Sequence, residues 1–186
     1  MVIASVLWRR LDSPGHDACR LERKNGGWSL DGAAAFSHNG QPACVTYRIT
    51  CDRAWHTGRG TVSGWVGSQS VGFDIERSAA RAWTLNGGLV GQVDGCFDLD
   101  LGFTPATNLL QLRRLALQVG EAADVPVAWL DLEGDTLDVL HQRYERRTER
   151  TYWYEAPRFG YAALLEVSPA GFVRRYPALW EAERST

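Results

Sequence analysis

Long hydrophobic runs are missing from this chain of 186 residues. A membrane-crossing helix needs about 20 consecutive apolar residues, and no stretch approaches that length, so no transmembrane helix is expected. A basic leader is missing too. Met1 to Leu7 is apolar, but no positive residue precedes it and Trp8-Arg9-Arg10 interrupts it at once. That is not the pattern of an export signal, and the expected location is the cytoplasm. An excess of one charge is also absent, since Lys+Arg is 20 and Asp+Glu is 22, a net charge of −2. This balance offers no general attraction to a phosphate backbone, and no nucleic-acid partner is expected. Cysteine is sparse and unpatterned. Cys19, Cys44, Cys51 and Cys96 form no C-x-x-C pair, and the four histidines lack zinc-finger spacing. Free thiols, no metal and no cofactor are therefore expected. Cys44 and Cys51 could meet only if the chain folded back between them. Signatures of an activated nucleophile, a Walker loop or an H-E-x-x-H helix do not occur.

Period-two alternation dominates what is present. Val45, Tyr47, Ile49 and Cys51 alternate with Thr46, Arg48 and Thr50, the pattern of a half-buried strand. Thr61–Val66 and Val71–Glu76 flank a Gly-Ser turn, and Leu21–Arg23 and Trp28–Leu30 flank Asn25-Gly26, whose residues tolerate the positive φ of a tight hairpin. Further strands are predicted at Trp83–Leu85, Leu89–Val93, Phe97–Leu101, Val127–Leu132, Leu137–Arg146, Thr151–Glu155, Tyr161–Val167 and Phe172–Tyr176. Many short strands separated by frequent turns predict a sandwich or barrel. The length suits a single domain over residues 1–186. Asn108–Val119 is ambiguous, because its leucines fit both a helical and a strand face; a loop followed by a strand is the favoured reading, with a short helix as the alternative.

The segment from Gly95 to Asn108, followed by Arg113-Arg114, concentrates polar chemistry. In an extended chain Asp98 and Asp100 share one face, their Cα atoms roughly 6.6 Å apart. Two neighbouring carboxylates need a cationic partner or one will hold its proton, and Arg113 and Arg114 are the nearest candidates. A calcium loop is disfavoured because Leu109 stands where its bidentate Glu would be. A glycosidase-like carboxylate pair, a polar network lining a pocket, and a network that only orders a loop remain open. Eight tryptophans, each with a large apolar face and one N–H donor, suit both sugar faces and acyl chains. His141–Arg150 is strongly polar and reads as a solvated hairpin or guarded edge strand. Within it Gln142 and Tyr144 alternate with Leu140 and are expected to turn inward.

The stretch Gly95–Asn108 with Arg113-Arg114-Leu115 resembles the signature of the bacterial putative glycolipid-binding family. Trp8-Arg9, Val45-Thr46-Tyr47-Arg48, Trp83 before Asn86-Gly87, Gln142-Arg143-Tyr144 and Tyr176-Pro177 fit in order. The resemblance implies an all-β fold: a single many-stranded, barrel-like antiparallel sheet around an apolar cavity, with at most one or two short helices. It is similar to lipoprotein-localisation carriers. The expected function is non-enzymatic binding of a lipid or glycolipid small molecule inside the curved sheet. Candidate ligand-binding residues are Trp83, Asp98, Asp100, Asn108, Arg113, Arg114, Gln142 and Tyr144. The alternative is a hydrolase acting on a glycoside or lipid ester through the Asp98/Asp100 pair.

Overall fold

A computed structural model describes residues 1–183. Eight strands come first: β1 (Val2–Arg10), β2 (Gly15–Lys24), β3 (Gly27–His38), β4 (Gln41–Asp52), β5 (Thr57–Val66), β6 (Gln69–Arg77), β7 (Trp83–Leu85) and β8 (Gly88–Leu89). After a crossing segment come β9 (Leu99–Leu101) and a single α-helix, α1 (Asn108–Leu115). Six more strands follow: β10 (Ala122–Leu130), β11 (Asp138–Arg146), β12 (Thr151–Ala156), β13 (Tyr161–Val167), β14 (Val173–Tyr176) and β15 (Trp180–Ala182). They form one 15-stranded sheet in the order β8-β7-β6-β5-β4-β3-β2-β1-β15-β14-β13-β12-β11-β10-β9. Two meanders are thus stitched together where β1 meets β15.

The sheet is curled but open. Its edges, β8 and β9, are short, which limits the unpaired backbone presented for aggregation. The crossing segment spans the gap: Phe97 accepts from the Thr57 amide at 3.0 Å, and Gln92 Nε2 donates to the Leu137 carbonyl at 2.5 Å. Strand pairing is antiparallel throughout, except that β9 runs parallel to β10.

The period-two reading of β4 holds residue by residue: Ala43, Val45, Tyr47, Ile49 and Cys51 are buried, and Thr46, Arg48 and Thr50 are exposed. Cys44 and Cys51 therefore lie on one continuous strand and cannot meet. All four cysteines are free. Asn25-Gly26 and Gly67-Ser68 are two-residue hairpin turns, since Lys24 pairs with Gly27 and Val66 with Gln69. Several strand boundaries differ from expectation. Of the 89–93 region only Leu89 pairs, together with Gly88 before it, and Gly91–Val93 is a single 3-10 turn; β5 and β6 extend to Thr57 and Arg77; β9 begins at Leu99; and β10 occupies Ala122–Leu130.

Residues 108–115 correct the favoured reading of a loop and strand. Thr104 Oγ1 accepts from the Ala106 amide at 3.0 Å and Pro105 opens a 3-10 turn that feeds directly into α1. Ala116, at φ +47°, ends the helix in the left-handed region. Tertiary burial decided between the two periods. Leu109 and Leu110 enter the larger core with Ile49, Ile75, Trp83 and Leu130, while Leu112 enters the smaller core with Val125, Leu140, Tyr144 and Leu165. The helix plugs the curl and joins two cores that the sheet alone would leave apart.

Candidate functional site

Strand β9 is buried on both faces. Leu99 and Leu101 point to the sheet, and Leu99 occupies the space that a Cβ on Gly60 would fill, 2.3 Å from its Cδ2. On the other face, α1 and the turn before it supply partners for both aspartates. Arg114 grips Asp98 with Nε at 2.9 Å from Oδ1 and Nη2 at 2.6 Å from Oδ2. Asp98 is fully buried, and burial pushes its carboxyl above the usual range against the opposing pull of Arg114. Arg113 points elsewhere and binds the Ala170 and Pro169 carbonyls at 3.0 and 3.2 Å. Adjacent residues on a helix diverge by about 100°, so only one of the two arginines can reach the aspartates.

Among the described residues no cation lies beside Asp100. The Thr107 hydroxyl donates to Oδ1 and Gln142 Nε2 to Oδ2, each at 2.6 Å. Tyr144 OH donates to Gln142 Oε1 at 3.1 Å, and Asn108 Nδ2 donates to Tyr144 OH at 2.8 Å. Burial raises the Asp100 carboxyl, opposed by the Thr107 and Gln142 hydrogen bonds, and raises Tyr144 well above its ordinary value. Gln142 and Tyr144 do turn inward from β11, which is an interior strand; only the turn at Arg147–Arg150 is a solvated tip.

Asp100 and Asn108 form the floor of a cavity of about 720 Å³, within the usual range of about 300–1,000 Å³ for ligand clefts. Aromatic rings wall it: Phe103, Trp129, Tyr154, Phe159, Tyr161, Tyr176 and Trp180. Tyr176 packs edge-on against both Tyr154 and Tyr161, and Trp129 sits against Phe159. The rim comes from turns at one end of the sheet, β1–β2 (Asp12, Ser13), β3–β4 (Asn39, Gly40) and β14–β15 (Leu179). The interior is therefore aromatic, with polar groups at its floor.

Behind the wall lies a third buried carboxylate. Asp17 on β2 accepts from Tyr47 OH at 3.0 Å and from the hydroxyl of the cavity-lining Thr104. Burial pushes its pKa up to about 7. Tyr47 reaches it by crossing β3 at Gly32, where an added Cβ would lie 2.1 Å from the ring.

Of the eight candidate residues, Asp100, Asn108, Gln142 and Tyr144 converge on the cavity floor. Asp98 and Arg114 form a separate buried ion pair outside the cavity lining. Arg113 ties α1 to the β13–β14 turn, and Trp83 is a fully buried core residue whose Nε1 donates to the Cys96 carbonyl at 3.2 Å. The two aspartates engage different partners, and only Asp100 meets the cavity. Sequence reasoning missed the tyrosine wall and Asp17. A usable signal was there for the tyrosines: Tyr152 and Tyr154 alternate on β12 beside Tyr144 on β11.

The fold and cavity together define an open, curled all-β protein with a ligand-sized internal site. The chain belongs to the family described as "Putative glycolipid-binding", whose model matches residues 5–182. A crystal structure of a DUF1089 family protein from Pseudomonas aeruginosa shares the fold, with a TM-score of 0.80, 24% identity and 94% of each chain covered. No curated protein matched.

Proposed function

We propose that the protein binds one lipid or glycolipid molecule in the aromatic cavity and does not transform it. The observation that carries this reading is a cavity walled by tyrosine and tryptophan faces with a carboxylate and an amide at its floor. Aromatic faces take both sugar C–H surfaces and alkyl chains, and a few fixed polar groups in an apolar cleft supply orientation. Asp100 and Asn108 are the proposed ligand contacts. Gln142, Tyr144 and Thr107 hold them in place, and the Asp98–Arg114 pair anchors the helix that carries Asn108. Trp83 and Arg113 are assigned to the scaffold. Asp98 cannot join Asp100 at a bond in the cavity while Arg114 holds it, so the carboxylate-pair hydrolase is not the favoured reading.

Intrinsic tryptophan fluorescence, titrated with an alkyl glycoside below its micelle concentration, tests this. Saturable binding is expected, weakened about tenfold by Tyr154→Ala, with the glycoside recovered intact by mass spectrometry. Absence of saturable binding by alkyl glycosides and fatty acids alike would overturn the proposal. Release of free sugar would transfer the site to the hydrolase reading.

A further inference from the structure

The charge of the molecule is unevenly placed, and the unevenness bears on the cavity. The turns at the mouth end carry Asp12, Asp131, Glu133 and Asp135. The arginines there are already engaged: Arg10 grips Asp12 at 2.8 and 3.0 Å and lies over the Phe36 and Trp180 rings, and Arg158 pairs with Asp138 at 2.9 Å. The opposite end holds basic turns, among them Arg23 and Lys24, Arg53, and Arg147 with Arg150. A net charge near zero thus conceals an acidic mouth and a basic opposite end, and the mouth repels anions as they approach.

The floor repeats that preference at short range. Each Asp100 oxygen accepts one protein hydrogen bond and keeps a further lone pair for a ligand. Asn108 spends its amide nitrogen on Tyr144, and its oxygen has no donor among the described residues. Trp129 Nε1, set against Gly102 in the wall, has no acceptor among the described residues. The second amide hydrogen of Asn108 also stays free, so the floor offers several acceptors and two uncharged donors between aromatic faces. A sugar hydroxyl brings one donor and can also accept. A phosphate or carboxylate brings acceptors and negative charge and finds no free cation at the floor among the described residues. A quaternary ammonium matches the charge and the rings but has no hydrogen to give Asn108 and nothing to accept from Trp129.

We infer that the ligand enters headgroup first: an uncharged, polyhydroxylated ring seats on Asp100 and Asn108, its alkyl chain leaves past the rim, and amphiphiles with anionic headgroups are rejected. This rests on the lipid-binding reading above and adds orientation and selectivity to it. The test uses amphiphiles of one chain length, decyl glucoside, decyl phosphate and decyl trimethylammonium, below their micelle concentrations at about pH 8, where ordinary carboxylates are ionised.

The glucoside is expected to bind at least tenfold tighter than either of the others. Asp100→Asn, checked for folding by its melt, should narrow the gap between glucoside and phosphate about tenfold by removing the buried charge and adding a donor. Hexyl and decyl glucoside should differ far less than the roughly 200-fold that burying four more methylenes would produce. Phosphate or trimethylammonium binding as tightly as glucoside overturns the selectivity. A chain-length gain near 200-fold overturns the orientation. If none of the three binds, the lipid-binding reading itself has failed, a result distinct from a reversed ranking among ligands that do bind.

Discussion

Replacing Asp17 with Asn should stabilise the protein at alkaline pH and leave it nearly unchanged in acid. Burial raises the Asp17 pKa from 3.8 to about 7. The folded state therefore holds this proton more tightly than the unfolded chain between about pH 4 and pH 7. Stability from Asp17 is fully present below about pH 4, is lost as pH rises through the folded value, and does not return above it. At about 1.4 kcal/mol per pH unit, the loss is about 4 kcal/mol. Asparagine carries no charge, so its contribution is flat. It does disturb the local bonds, because Tyr47 and the Thr104 hydroxyl both donate to Asp17. A protonated carboxyl and an amide each offer one acceptor and one donor group and match in acid; in alkali the carboxylate accepts from both hydroxyls and the amide does not, at about 1 kcal/mol. Urea unfolding across about pH 4 to pH 8 should show the variant close to the parent in acid and about 3 kcal/mol stronger in alkali. Every other titration is common to both proteins and cancels in the difference. A difference that stays constant over the range would refute the reasoning and mean that Asp17 is ionised throughout.

Arg114→Ala should cost about 3–5 kcal/mol by stranding the buried Asp98 carboxylate, whereas Arg113→Ala, which loses bonds only to the Ala170 and Pro169 carbonyls, should cost about 1–2 kcal/mol; equal losses in thermal melts would contradict the assignment of the two side chains. Gly32→Ala should destabilise by about 1–3 kcal/mol, since the new methyl meets the Tyr47 ring, and Tyr47→Ala in the same chain should relieve the clash, so that the two costs combine to less than their sum. A thiol reagent should modify Cys44 quickly and Cys19, Cys51 and Cys96 only on unfolding, because the latter three are buried and burial pushes Cys51 up to about 12 and Cys96 up to about 11. Rapid modification of all four in the native state would show that these sites open freely.

Much of the architecture is written in local alternation. β4, the Asn25-Gly26 hairpin and β11 with its inward Gln142 and Tyr144 were legible because a half-buried strand must alternate and a two-residue turn must supply positive φ. The polar cluster was legible as a cluster, since two carboxylates two residues apart demand partners wherever they are buried. Its division was not. Asp98 with Arg114, and Asp100 with Thr107 and Gln142, follow from a helix that the sequence pattern left undecided between two periods. Asp17 escaped notice because only the Leu21–Arg23 end of its strand was read; it shares the buried face of Cys19 and Leu21, but only the structure shows Tyr47 crossing Gly32 and Thr104, 87 residues along the chain, meeting it.

The sequence by itself determined the strand periodicity, the hairpins, the absence of a helix able to cross a membrane and the residues from which a polar floor could be made. Those are properties of neighbours along the chain, where spacing alone sets which face a side chain takes. Tertiary structure decided that residues 108–115 are helical, that β9 runs parallel to β10, that β1 joins β15, and that rings from five separate strands and turns converge on Asp100 and Asn108. Each of these depends on burial against residues distant in sequence, and an apolar leucine or tyrosine carries no mark of which distant partner will cover it.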